Sequence, residues 1–376
     1  MIFLNEMGPD STLAFNDLIL AGGSAMDHAE LTHFTETDAA LTRSIGLFNS
    51  HDDFPLCIAK RRFDGDYDSL RTYWIPQLRS GGVNVVVGAI ATPSIFVPDG
   101  ALRHALWALD ALLTELADNH QDIELAKSTS DIRRINHEGK IAVVLAMEGA
   151  EPLGNDLSVL RLLHRLGLRM LCFTWMRRTM FGDGTWENES KGGLSRLGQL
   201  AVREMNRLGI IVDVSHASDR TTWDILETTS SPVIASHSNA RALCDHPRNL
   251  TDEMIRAISD RGGVIGAVAV PSFIAAEGAT IAKWVDHIDH IVSIAGIDHV
   301  GVGADFTLYV REIGAWPEIK EWTPGPHRPW APFDGMANLA DLPGLTAELT
   351  RRGFTESDLR KIYRDNYLRV VSTILR

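Results

Sequence analysis

Ile141-Ala142-Val143-Val144-Leu145-Ala146-Met147-Glu148 is a run of apolar residues that stops on a carboxylate. A short apolar run of this kind is a buried strand, and what decides the fold is that the pattern recurs. Ile45-Asn49, Val83-Ile90, Met170-Thr174, Ile210-Val214, Val233-Ser236, Val264-Val270 and Val300-Ala304 read the same way, and with Ile141-Met147 they make eight. Segments of helical periodicity lie between them, at 103–119, 155–166, 194–208, 219–229, 252–261 and 280–295. Short strands alternating with longer helices signal parallel βα units. Eight units predict a closed (β/α)8 TIM-type barrel, because doubly wound sheets more often hold about five or six strands. No GxGxxG turn, and no GxxxxGK turn ending in Ser or Thr, follows any of the strands, which removes the commonest nucleotide-binding alternatives.

The barrel is expected to fill residues 45–376, preceded by an N-terminal arm over 1–44 that mixes acids, Gly and Pro with short apolar pieces. Residues 307–342, rich in Pro and Trp (Trp316, Trp322, Trp330; Pro324, Pro326, Pro329), form a long loop after the last strand, a candidate lid or substrate wall. The helical C-terminus, 343–375, is expected to pack on the outside. Among 376 residues, 36 Lys and Arg against 49 Asp and Glu leave a net charge of −13, which argues against nucleic acid or an anionic membrane as a partner. Three widely spaced cysteines, Cys57, Cys172 and Cys244, build neither a disulfide framework nor a CxxC knuckle. With no basic, apolar leader and no run of membrane-spanning length, the expectation is a soluble cytoplasmic protein.

In such a barrel the chemistry sits at the carboxyl ends of the strands. Read at those positions, the first strand ends in His51-Asp52-Asp53, the third in Glu148, the fifth in His216, the sixth in His237 and the eighth in Asp305. The second ends in Ala91-Thr92 and the seventh in Pro271, neither of which offers a ligand. Imidazoles and carboxylates together suit zinc and similar divalent ions. A lone ion needs three or four protein ligands, so five or more point to two ions sharing a carboxylate and a hydroxide. Strand alternation turns His51 and Asp53 the same way and Asp52 away. The first ion would take His51, Asp53 and Glu148, and the second Glu148, His216 and His237.

Three more residues belong to this rim. Asp305 suits a proton acceptor that later protonates a leaving amine, or a structural partner of a ligand His. Arg248, in the loop after the sixth strand, is placed either to hold a substrate carboxylate or as a surface charge. Trp175, at the end of the fourth strand, is either a pocket wall or packing. The cluster Asp286-His287-Ile288-Asp289-His290 has metal-ligand spacing but lies in the helix before the eighth strand, away from the rim, and reads as a solvated helix face.

These stretches resemble the renal (membrane) dipeptidase family of zinc metallopeptidases, within the amidohydrolase superfamily. The resemblance rests on His51-Asp52-Asp53, Glu148-Gly149, Asp213-Val214-Ser215-His216 and Ser236-His237-Ser238-Asn239-Ala240-Arg241-Ala242-Leu243. It continues through Arg248-Asn249, Gly301-Val302-Gly303-Ala304-Asp305-Phe306 and Asn366-Tyr367-Leu368-Arg369. It implies a dizinc hydrolase of dipeptides, with His51, Asp53, Glu148, His216 and His237 on the metals and Glu148 bridging. It also implies Asp305 as the proton-handling group, Arg248 on the dipeptide carboxylate, and a homodimer. The sequence departs from the family in having Asp52 where His-Asn-Asp is frequent, and Trp175 where mammalian members carry a substrate-contacting His. After Asp305-Phe306, Thr307-Leu308 replaces the usual Asp-Gly. Another small amide, lactam or ester is the alternative substrate, and an inactive metal-binding scaffold the alternative class.

Overall fold

The chain's structure, a computed structural model, describes residues 34–306 and 332–375. Its parallel strands are β1 (Leu47–Asp52), β2 (Val83–Ala91), β3 (Ile123–Leu125), β4 (Ile141–Glu148), β5 (Leu168–Cys172), β6 (Ile211–Asp213), β7 (Ile234–Ala235), β8 (Val264–Ala267) and β9 (Val300–Val302). Eight of them close a barrel in the order β1-β2-β4-β5-β6-β7-β8-β9. β9 returns to β1 through Asn49↔Val302, and β2 lies against β4 from Val85↔Ala142 to Ala91↔Glu148. These are the eight strands expected. β3 is an addition that pairs only with Ile141–Val143 at the start of β4. The expected helices are present as Ala101–Asp118, Leu157–Leu166, Arg196–Leu208, Asp219–Thr228, Asp252–Asp260 and Ile281–Ala295.

The strands read as continuous apolar text because both of their faces are covered. Phe48, Val85, Val87, Ala89, Ala142, Val144, Ala146, Met170, Ile211, Ile234 and Val264 fill the barrel interior. Their neighbours Leu47, Val86, Val143, Leu145, Leu171, Val212 and Ile265 pack outward in the larger core with the helices. Each return to helix is marked by a polar cap. Ser195, Ser218, Thr251 and Thr280 accept the backbone N–H three residues on, satisfying donors that the first helical turn leaves free.

At the ends of the chain the expectation and the structure differ. Residues 1–33 lie outside the described residues, whereas Glu36–Ile45 is a helix opened by a capping box between Thr35 and Asp38. It packs on Pro343–Arg351, with Thr42 Oγ1 and Thr346 Oγ1 2.6 Å apart. Gly46, at φ 74°, ends this helix, so β1 starts two residues later than expected and carries His51 and Asp52 within it. The last helix, Asn366–Ile374, does not pack on the outside. Tyr367, Val370, Val371 and Ile374 join the interior cluster and floor the barrel. Asn366 Nδ2 donates to the carbonyls of Ile297 and Val300, and Arg369 to those of Gly262 and Asp298, all before or at the start of β8 and β9, at the amino end of the barrel. Of the expected loop at 307–342, residues 307–331, with all the named Trp and Pro, lie outside the described residues. Met336, Leu339 and Leu342 are buried.

Tyr367 reaches up inside the barrel to Ser50, 2.6 Å from its Oγ, and Ser50 also donates toward the carbonyls of Ser236 and Val302. This crowding explains the glycines of Gly301-Val302-Gly303. A Cβ at Gly303 would sit 1.8 Å from the Ser236 carbonyl oxygen, and one at Gly301 2.2 Å from the Tyr367 ring. The neighbour at Gly303 is backbone beside His237 and cannot swing away. Gly303→Ala is therefore expected to cost about 3 kcal/mol of stability, the upper end of overpacking effects, read as a fall in the urea midpoint.

Candidate active site

Each expected site residue stands where a strand gives way to its loop. His51 is in the last turn of β1, and Asp53 is the first residue beyond it, at the N-cap of helix Phe54–Phe63. Glu148 closes β4. His216, His237 and Asp305 follow β6, β7 and β9. His216 and Asp305 hold left-handed backbone, at φ 67° and 53°, a conformation that costs a non-glycine residue of order 1 kcal/mol and concentrates at functional sites. In both cases the turn takes the side chain off the line of the strand.

The structure brings the six together. Glu148 Oε1 lies 2.8 Å from His216 Nε2, 3.4 Å from His237 Nε2 and 3.5 Å from His51 Nε2. His51 Nε2 is also 3.6 Å from Asp53 Oδ1 and 3.7 Å from Asp305 Oδ1. Two compact triads result, His51–Glu148–His237 and His51–Asp53–Asp305, each with its ligand atoms within 4.8 Å of one another. They cut across the two ligand sets expected from the sequence, because His51 stands between them and Asp305 joins the cluster. Asp52 turns elsewhere, and its Oδ1 accepts the Phe54 backbone N–H at 3.0 Å.

These atoms fit a metal centre by two tests. Among the described residues, His51 Nε2, His237 Nε2, Asp53 Oδ1 and Asp52 Oδ2 are buried without a hydrogen-bond partner, and the first three, which belong to the triads, are polar atoms that are expensive to bury unless something binds among them. Four of the five separations, 3.4–3.7 Å, lie close to those of neighbouring ligands of a tetrahedral ion, which bonds of about 2.0–2.1 Å would set roughly 3.3–3.4 Å apart, whereas Glu148–His216 at 2.8 Å is a hydrogen-bond distance. The electrostatics show a surplus of negative charge around His51. Burial alone would lower His51, but the charges of Glu148, Asp305 and Asp53 outweigh it and push its pKa up to about 10. Burial also raises Glu148 well above the carboxylate range, and pushes Asp305 up to about 6 and Asp52 to about 8. It holds His216 and His237 well below the usual imidazole value, as neutral rings.

Around the cluster, Arg248 is 2% exposed, so it is no surface charge. Its Nη2 donates to the His237 carbonyl at 3.2 Å, its Nε and Nη1 have no hydrogen-bond partner among the described residues, and its guanidinium lies 5.4 Å from the Phe273 ring centre. Trp175 is buried with its ring 6.2 Å from that of His216, edge-on to Trp186 at 5.5 Å. The rival cluster at 286–290 is not one solvated face. Asp286 and Asp289 each accept from Arg352 at 2.7 Å, and His290 pairs with Asp252 at 2.8 Å. His287 is instead core, bridging the Ala240 N–H and the Ile274 carbonyl. Sequence reasoning assigned no role to Asp213, Ser215 and Ser236, which hydrogen-bond one another behind His237; only their place in the quoted motifs hinted at one. Burial raises the Asp213 carboxyl, against the pull of the hydrogen bonds from Ser236 and Ser215. Among the described residues, no helix is long and apolar enough to cross a membrane.

Known proteins are similar to this chain over most of its length. The dipeptidase verJ of Clonostachys rogersoniana is 30% identical over 354 residues, 89% of this chain and 85% of that protein. The fold is similar to a metallopeptidase of Rhodobacter sphaeroides solved with a phosphinate mimic of the dipeptide L-Ala-D-Ala, at a TM-score of 0.75 and 26% identity, covering 88% of this chain and 99% of the other. Dipeptidase AC, a metallopeptidase, gives 0.76 and 27% over the same shares. The model of the family described as Membrane dipeptidase (Peptidase family M19) matches residues 35–320 and 330–375. Strand order, rim and kinship thus agree, and the chain belongs to the membrane dipeptidase family of metallopeptidases, hydrolases acting on peptide bonds.

Proposed function

We propose that the chain is a binuclear zinc dipeptidase in which His51, Asp53, Glu148, His216 and His237 hold two zinc ions, with Glu148 shared. The observation that carries this reading is the contact of Glu148 Oε1 with all three imidazoles, in a buried site where His51 Nε2, His237 Nε2 and Asp53 Oδ1 lack hydrogen-bond partners among the described residues. Zinc so held would supply Lewis acidity at the scissile carbonyl and hydroxide at neutral pH. Asp305, beside His51, would accept the proton released on attack and return it to the leaving amine. Arg248 would anchor the substrate's terminal carboxylate through its unpartnered N–H groups. Trp175 would form an apolar wall next to His216. The phosphinate dipeptide mimic bound by the Rhodobacter sphaeroides relative supports a dipeptide as the substrate class.

A second reading, hydrolysis of another small amide, lactam or ester, is favoured by Trp175 alone, since an indole N–H donates and cannot accept. Zinc content and a panel of dipeptides, N-acyl amino acids and lactones separate the two. The expected result is two zinc ions per chain and preference for dipeptides. Preference for a lactone or an N-acyl amino acid would select the second reading, and zinc near zero with no activity after zinc addition would select an inert scaffold. Asp305→Asn is expected to keep both ions while lowering kcat roughly 10²–10⁴-fold, the range of general acid–base catalysis. Loss of metal in that variant would instead make Asp305 a ligand.

A further inference from the structure

Behind His237 lies a chain of hydrogen bonds whose direction decides what that imidazole can do. The Ser236 hydroxyl has two close partners, Asp213 Oδ2 and His237 Nδ1, the latter at 2.7 Å. The other oxygen of Asp213, Oδ1, already accepts the backbone N–H groups of Ser215 at 2.9 Å and Ser236 at 3.0 Å. Ser215 Oγ in turn accepts the backbone N–H of His237 at 3.0 Å, so backbone and ring are held from the same side. All four residues are buried.

A hydroxyl has one proton to donate and two lone pairs with which to accept. With Asp213 Oδ1 taken up by two backbone N–H groups, Oδ2 is the oxygen that faces Ser236 and takes its proton. The Ser236 oxygen is then left to accept, and the partner it accepts from is His237 Nδ1–H. Nε2 of the same ring must carry a bare lone pair, and it points at Glu148 Oε1, 3.4 Å away. With the opposite direction, Ser236 would donate to Nδ1 and Nε2 would carry the hydrogen. The ring would then make an ordinary hydrogen bond to Glu148 and have no lone pair for a cation.

We infer that Ser236 and Asp213 are positioning residues that lock His237 in the Nδ1–H tautomer and so present its Nε2 as a metal ligand. This rests on the reading of His237 as a ligand, and it adds which residues make it one. Such partners of ligand imidazoles are worth about 10–100-fold in metal affinity. The two residues act differently when changed. Ser236→Ala removes the lock and leaves both tautomers open. Asp213→Asn does more. The new amide must keep its oxygen toward the two backbone donors, so its NH2 faces Ser236, turns that hydroxyl toward Nδ1 and moves the ring hydrogen to Nε2. A variant that conserves these hydrogen bonds should therefore bind zinc worse than one that deletes three of them, to Asp213, Ser215 and His237.

The experiment is zinc affinity of the full-length chain by chelator competition, together with ¹⁵N shifts of the imidazoles in the metal-free wild type. Expected are a loss of about 10-fold for Ser236→Ala, about 100-fold for Asp213→Asn, recovery in Ser236→Thr, and an Nδ1–H signature for His237. Wild-type affinity in Ser236→Ala, an Asp213→Asn variant that binds no worse than Ser236→Ala, or an Nε2–H signature would overturn the inference. Because the ¹⁵N measurement needs no variant, it decides the case even if Asp213→Asn does not fold. His237→Ala separates the two levels. Zinc lost there but kept in Ser236→Ala sinks the positioning role alone, whereas zinc kept in His237→Ala sinks the ligand reading beneath it.

Discussion

Glu148→Gln is expected to bind neither ion tightly and to lose at least about 10³-fold in kcat/KM on a dipeptide, roughly 4 kcal/mol of transition-state stabilisation. The change is nearly isosteric, so the fold should survive it, and the whole effect should come from one atom. Oε1 is the common neighbour of His216, His237 and His51. An amide there offers either a neutral oxygen or N–H groups, and the latter would occupy the imidazole lone pairs that a metal needs. Zinc per chain and steady-state kinetics on the same preparation read the result. Two ions retained would remove Glu148 as the shared ligand. Asp52→Asn is the internal contrast. The hydrogen bond that Asp52 Oδ1 accepts from the Phe54 N–H suits an amide oxygen equally well, and Asp52 belongs to neither triad, so both ions should remain. Asp53→Asn places the same change on an oxygen that stands in the triad with His51 and Asp305, 3.6 Å from His51 Nε2, and should lose metal. The reverse pattern would undo the register of β1 on which the ligand reading stands.

How much of this was legible in the sequence depends on which signal each feature leaves. The barrel was legible because buried parallel strands are apolar on both faces, and eight such runs in alternation with helices have few other solutions. The rim residues were legible for the same reason, since an abrupt His or acid at the end of an apolar run has one place to go. Ile123–Leu125 was not legible, because three residues carry no periodicity. The helix Asn366–Ile374 was visible as a helix, yet an apolar stripe cannot say whether it meets the outside of the barrel or its floor. His287 shows the same limit. Its spacing from Asp286 and His290 looked like one polar face, and only the packing of Ala240 and Ile274 against it shows a buried imidazole. Which side chains stand together at the rim was legible only in part, because the left-handed turns at His216 and Asp305 leave no mark in the sequence.

Arg248→Ala is the second large expectation, and it tests substrate rather than metal. For dipeptides with a free terminal carboxylate, kcat/KM should fall about 30- to 5,000-fold, the range of 2–5 kcal/mol for truncating one partner of a buried charge pair. The size follows from where the guanidinium is. It is 2% exposed, one nitrogen is spent on the His237 carbonyl, and two others have no partner. A buried cation with unspent donors is costly to keep, and a substrate carboxylate would offset that cost on binding. The same dipeptides capped as C-terminal amides lack the anion. On those, wild type and Arg248→Ala should differ by less than about 3-fold, since only an uncharged contact is lost. Zinc content should stay at the wild-type value, which excludes an indirect effect through the Arg248–His237 hydrogen bond. Arg248→Lys should recover little, because an ammonium is a single compact donor where the guanidinium presents a planar fork. Equal losses on the acid and amide series would show that Arg248 supports His237 and its loop rather than the substrate's carboxylate, and the dipeptide reading would then have to rest on the metal centre and Trp175 alone.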